Sequence, residues 1–192
     1  MDPECRKIIA KIKSLDIQGA TSVAKAALRC LEITTKKSKA KTRNAFLTEL
    51  QLVGKGVIGA RATEPTLRNA VTSVILRVKI HEDLKTIKKF TIHESKKYMD
   101  ELNQMILEIA DKGAGEISDG DVVLTHCHSK HVIEILKKAK RSGKKIEVIV
   151  TETRPRNQGI LTAKELLDVG IKVTYCVDSA FGFVMKRVTK FM

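Results

Sequence analysis

Thr125-His126-Cys127-His128-Ser129 is the densest group of chemistry-bearing side chains in the sequence, and it follows directly on the β-branched run Val122-Val123-Leu124. A helical stretch from about Ser129 to Arg141 comes next. The cluster therefore falls at the C-terminal end of a strand, where open α/β sheets gather their ligands. Cys127 lies just ahead of a helix N-terminus, whose partial positive charge favours the thiolate, so it could act as base or nucleophile. A small buried hydrophobe is the plainer fate of a lone cysteine. Strand alternation puts His126 and His128 on one side and Cys127 on the other, unless the strand-to-helix turn breaks the pattern. His128 and His131 fall at i and i+3 on the following helix and with His126 suggest a metal, but the spacing specifies neither a fourth ligand nor a second shell. Local hydrogen bonding and helix capping is the preferred reading of these histidines. No metal and no other cofactor is expected.

A second group, Glu152-Thr153-Arg154-Pro155-Arg156-Asn157-Gln158-Gly159, follows the apolar run Ile146 to Thr151. Arginine in a proline-fixed loop presents a planar fork suited to phosphate, and a solvated basic loop is the alternative. Asp178 follows a third strand-like run, Lys172 to Val177, and reads as a helix N-cap. Asp119 and Asp121 read as turn residues.

These groups need a scaffold, and the pattern around them supplies one. From residue 118 strand and helix alternate three times, with Ser142-Gly143-Lys144 as a turn, Gly170 as a helix C-cap and a last helix from Ser179. Such alternation predicts a parallel sheet with right-handed crossovers. Residues 1 to about 117 read helical nearly throughout. Val23, Ala26, Ala27, Cys30 and Leu31 form one apolar stripe, and Phe46, Leu50, Val53 and Val57 a second. Leu67, Ala70, Val71, Val74, Ile75 and Val78 form a third, which starts at Pro65, a residue suited to the first helical position. The basic connector Lys36 to Asn44 separates the first two. A long helix from about Asp83 to Lys112 carries Leu84, Ile87, Phe90, Leu102, Ile106 and Ile109 and is expected to stop at Gly113 and Gly115. The fold class is thus α/β: a helical domain over residues 1–117 and a partial Rossmann-like domain over 118–192 with three strands. Val188 to Met192 reads as the beginning of a fourth strand. Three strands would leave an exposed edge and an unfinished core, so truncation of a longer chain is expected.

Composition narrows the partners. Hydrophobic residues make up 43% of the chain, enough for a buried core, yet the apolar runs are far shorter than the roughly 20 residues of a membrane helix. No membrane partner is expected, and the N-terminus lacks a signal-peptide pattern, which predicts a cytoplasmic location. Four scattered cysteines form no C-x-x-C pair and no disulfide framework. A net charge of +14 favours anionic partners, or else a Lys-rich solvated surface. With aromatics at 4% and none interleaved with basic residues, base stacking has little to work with, and direct nucleic-acid binding is not expected.

Taken together, GDVVLTHCHSK, VIVTETRPRNQGILTAKEL and TYCVDSAFGFVMK resemble, in content and order, the initiation factor 2B alpha/beta/delta family, and within it the archaeal-type ribose-1,5-bisphosphate isomerases. Methylthioribose-1-phosphate isomerases and initiation factor 2B regulatory subunits are more distantly similar. IQGATSVAKAAL is similar to the family's glycine-alanine phosphate-binding segment and ARATEPTLRNAV to a later helix start, so the resemblance runs from about residue 3. It implies a helical domain packed on a Rossmann-like domain, with a phosphorylated pentose or nucleotide-derived sugar phosphate bound between them. The implied reaction is aldose–ketose isomerisation, with Cys127 as the catalytic cysteine. Gly19, Ala20, Arg61, Arg154 and Gln158 are the implied sugar-phosphate contacts, and Thr125 and His126 shape the pocket. Gln18 stands where the family usually has a basic residue, and TEPTLRN departs from the isomerases' more apolar version. The family's catalytic Asp, in a Gly-Ala-Asp segment, and its Asn-Lys phosphate contact match nothing before Met192. Little or no isomerase activity is therefore expected of these 192 residues alone. The alternative is a non-catalytic regulatory subunit of translation initiation, with a homo-oligomer and initiation factor 2 as the candidate protein partners.

Overall fold

The computed structural model describes residues 1–192, which divide into two compact units, Met1–Asn103 and Gln104–Met192. The first unit is helical. It contains α1 (Pro3–Lys13), α2 (Ala20–Lys37), α3 (Arg43–Ala60), α4 (Pro65–Val78) and most of α5 (Leu84–Gly115). Local chemistry sets the helix starts. The Asp2 carboxylate accepts the Glu4 N–H at 2.8 Å, with Pro3 following it, and Thr42 accepts from Ala45. The three apolar stripes converge on one core, in which Leu28, Leu31, Phe46, Leu50, Leu67, Val71 and Val74 are buried.

On α5 the sequence reading needs two corrections. Ile109 is exposed, and Ala110 takes the buried position beside it, continuing the spacing of Leu102 and Ile106 to Ala114. The helix also runs through Gly113, and it ends at Gly115. A Cβ on Gly113 would lie 2.6 Å from Ile135 Cδ1, so glycine serves close packing there and not helix termination.

The second unit is built on a parallel sheet of β1 (Val122–Thr125), β2 (Glu147–Thr151), β3 (Lys172–Cys176) and β4 (Lys190–Phe191). Helices α6 (Lys130–Arg141) and α7 (Gly159–Leu167) are the crossovers, and a 3-10 turn (Asp178–Ala180), the short α8 (Phe181–Val184) and a second 3-10 turn (Met185–Arg187) lead into β4. Gly170, at φ +72°, closes α7 in the left-handed conformation. Its N–H reaches Leu167 O at 2.8 Å, and the Ile171 N–H reaches Leu166 O at 3.1 Å. Val123, Val148 and Val150 pack with Ile133, Leu136 and Leu166 on one side of the sheet. Leu124 and Ile149 meet Val184 on the other.

Strand order is β3-β2-β1-β4. The expectation of three strands is therefore corrected to four: Val123 pairs with Lys190 and Leu124 with Phe191. This strand lies within Val188 to Met192, the stretch read as the beginning of a fourth strand, and pairing with β1 completes it. Its effect on the site is large. The chain steps outward from β1 to β3 and then returns to the far side of β1, so β1 borders a topological switch point, the place where open α/β sheets form a crevice.

Candidate functional site

β1 ends at Thr125, which is buried, and the next two residues leave the strand sharply. Cys127 has φ +71°, a left-handed conformation that a side chain resists by about 1–2 kcal/mol. The turn thus breaks strand alternation. It also places His128 before the helix, since α6 starts at Lys130 with Ser129 as its cap, so His128 and His131 are not an i, i+3 pair on one helix. No cluster of three His, Cys, Asp or Glu side chains suits a metal.

Hydrogen bonds from the neighbouring strand and helix hold the turn. The Cys127 N–H donates to Thr153 Oγ1 at 2.8 Å. Its carbonyl accepts from Thr162 Oγ1 at 2.8 Å, and its thiol donates to Gln158 Oε1 at 3.4 Å. His126 Nδ1 lies 2.6 Å from Thr151 Oγ1, and His128 Nδ1 lies 3.1 Å from Thr162 Oγ1. Both histidines are thus hydrogen-bonded, but to residues 25 and 34 positions away, and neither caps a helix.

The loop after β2 is the second half of the site. Thr153, at φ +61°, is a β-branched residue in the left-handed region, and Asn157 follows at φ +52°. The Arg154–Pro155 peptide bond is cis. Asp178 reaches across from the end of β3: its carboxylate accepts the Thr153 and Arg154 N–H groups, each at 2.8 Å. Its side chain caps no helix, which corrects the N-cap reading. The unsatisfied N–H groups of the bent loop outcompete its own 3-10 turn for the carboxylate. Gly159 closes the loop, and an added Cβ would overlap the Thr151 carbonyl oxygen outright.

The charges follow from this wiring. The N–H groups of Arg154 and Thr153 hold the Asp178 carboxyl below its ordinary value of 3.8, helped by Thr151 and His126. Burial pushes Glu165 up, but Lys137, Lys130 and His128 more than offset it and hold it below its ordinary value. Because the Asp178 pKa is depressed by the fold, its support of the loop is complete above the unfolded value and is lost as pH falls through the folded one. We expect the amides of Thr153 and Arg154 to stay protected from hydrogen exchange at neutral pH. That protection should fall on acidification below about 3.8, the ordinary carboxylate value, and at neutral pH in Asp178→Asn. Unchanged protection in the variant would contradict the assignment.

Thr125, His126, Cys127, Arg154 and Gln158 are therefore gathered at the C-terminal ends of β1 and β2. Gly19, Ala20 and Arg61 belong to the first unit. Gly19, at φ +83°, precedes α2 with no side-chain cap, and Arg61 follows α3 with its Nη1 buried and without a partner. The sequence reading passed over Thr151, Thr162, Gly159 and the reach of Asp178. Only Gly159, a glycine between loop and helix, left a local sign.

Residues 16–192 match the initiation factor 2 subunit family. The "Ribose 1,5-bisphosphate isomerase" of Pyrococcus furiosus is 42% identical over 191 residues, covering 97% of this chain and 59% of that protein. A "Putative translation initiation factor eIF-2B subunit 2-like" of the same organism is 29% identical over 183 residues, covering 95% of this chain and 62% of that one. Among solved structures, 5-methylthioribose 1-phosphate isomerase from Pyrococcus horikoshii superposes with a TM-score of 0.82 at 27% identity, over 98% of this chain and 56% of that one. The chain thus spans a little under two thirds of the length of these relatives.

Proposed function

The chain belongs to the initiation factor 2 subunit family, and from that membership we propose that the protein is a sugar-phosphate isomerase interconverting ribose 1,5-bisphosphate and ribulose 1,5-bisphosphate. The observation that carries this reading is the Cys127 thiol, fixed against Gln158 at the strand end that borders the switch point. In the reaction the bond between C1 and the ring oxygen breaks, the ring oxygen gains a proton, the 2-hydroxyl loses one as C2 becomes a carbonyl, and the hydrogen on C2 passes to C1. Atoms balance with no external oxidant. A positioned acid–base group serves such transfers, and Cys127 is the candidate in this chain.

Arg154 would meet a phosphate as an exposed fork on the loop that Asp178 braces, and Gln158, Thr125 and His126 would line the sugar. On the first unit, Gly19 and Ala20 would offer helix N-terminal N–H groups, and Arg61 a charged donor, to an anionic substrate. The test is conversion. The protein as its gene encodes it, supplied with ribose 1,5-bisphosphate, should produce ribulose 1,5-bisphosphate, and no product at saturating substrate would reject the reading.

A regulatory subunit of translation initiation is the second reading, favoured by the 29% identical relative and by the net charge of +14. Capture of initiation factor 2 that persists at physiological salt, without conversion of the bisphosphate, would favour it over the first, since charge-only association fades as salt rises. Self-association into a homo-oligomer is compatible with both.

A further inference from the structure

Cys127 is held by more than its own turn. Each hydroxyl has one proton to give, and that count fixes the direction of the bonds around it. Thr162 Oγ1 donates to the Cys127 carbonyl at 2.8 Å, so its contact with His128 Nδ1 at 3.1 Å must be one it accepts. Thr153 Oγ1 donates to the Thr151 carbonyl at 3.3 Å and accepts the Cys127 N–H at 2.8 Å. Two directed chains result: His128 to Thr162 to the Cys127 carbonyl, and the Cys127 N–H to Thr153 to the Thr151 carbonyl. Both hydroxyl-bearing residues are buried, with Thr162 1% and Thr153 8% exposed, so water cannot readily replace either oxygen.

We propose that Thr153 and Thr162 are positioning residues which clamp the two ends of Cys127, hold it at φ +71°, and thereby fix its thiol against Gln158. A non-glycine residue stays in this conformation only where its surroundings over-determine it, and these two hydroxyls supply the constraint. Without one of them the strand end can relax towards ordinary extended geometry, which swings the Cys127 side chain away from its place. The turnover consequence rests on the isomerase reading. The effect on thiol position does not.

The experiment compares Thr162→Val, Thr162→Ser and Thr153→Ala in the whole protein. Two measurements are made on each: the rate at which iodoacetamide alkylates Cys127, followed by peptide mass, and kcat and KM for ribose 1,5-bisphosphate. Thr162→Val keeps the shape of the side chain and removes the hydroxyl, and it should change the Cys127 alkylation rate at least about 3-fold. Its kcat should fall about 10- to 100-fold with KM nearly unchanged, the pattern of a lost constraint on a reacting group. Thr162→Ser restores the hydroxyl and should return both readouts to near wild type. Thr153→Ala should reproduce the valine result from the other end of the clamp, and it decides the matter alone if Thr162→Val does not fold. Wild-type alkylation in a folded Thr162→Val or Thr153→Ala variant would overturn the proposal. If the wild-type protein fails to convert the bisphosphate, the isomerase reading falls, while the alkylation series still tests the clamp.

Discussion

Cys127→Ser should lower the rate of ribose 1,5-bisphosphate conversion by about 10²- to 10⁴-fold, the range that a positioned acid–base group contributes. Serine keeps the N–H that donates to Thr153 and the carbonyl that accepts from Thr162, so the turn and its neighbours should survive the change. What it removes is the thiol itself, the proposed acid–base group. Sugar-phosphate binding should therefore be almost untouched, because Arg154 and Gln158 keep their places on the loop. Steady-state kinetics with a parallel calorimetric titration checks both halves. Lost binding with unchanged turnover would show that Cys127 is a structural residue, the plainer fate that a lone cysteine always offers.

The second large effect is expected at a residue without a side chain. In Gly159→Ala the new methyl would overlap the Thr151 carbonyl oxygen and stand 2.9 Å from the Thr151 carbonyl carbon and 3.3 Å from that of Glu152. The obstacles are backbone atoms of a central strand and cannot swing aside as a side-chain tip could. Either β2 or the first turn of α7 must move, at a cost of about 3 kcal/mol or more. The movement would displace Gln158 and Thr162, which hold the thiol and carbonyl of Cys127, so turnover should fall with stability. Gly59→Ala is the control. Gly59 lies in the last turn of α3 with nothing within 4 Å of the added methyl, and alanine there should stabilise the helix by at most about 0.5–1 kcal/mol. Thermal unfolding of the two variants should thus move in opposite directions. A Gly159→Ala protein as stable as wild type would contradict the close approach.

Much of this scaffold was written in local patterns. The stripes on α2, α3 and α4 repeat at helical spacing over many turns, and each such repeat can bury only one face. The β-branched runs at Val122 and Ile146, separated by a helix-length stretch, imply a parallel crossover because a hairpin cannot span that interval. The position of Cys127 at a strand end follows from the same alternation. The close approach of Gly113 to Ile135 did not follow, since it depends on what α6 presents to α5, and neither did the exposure of Ile109.

The site divides along the same line. By itself the sequence determined which residues stand at the ends of β1 and β2, because strand length and the turn chemistry after it are settled within a few neighbours. Tertiary structure alone decided what those residues do to one another. The place of β4 beside β1, paired with Val123 and Leu124, was not legible, and its return past β1 creates the switch point. The strained backbone of Cys127, the single-proton direction of Thr153 and Thr162, and the reach of Asp178 to Thr153 and Arg154 join partners 24 to 35 positions apart. Contacts at that separation leave no periodicity for a sequence to display. They arise only when the sheet has brought three strand ends within hydrogen-bonding distance.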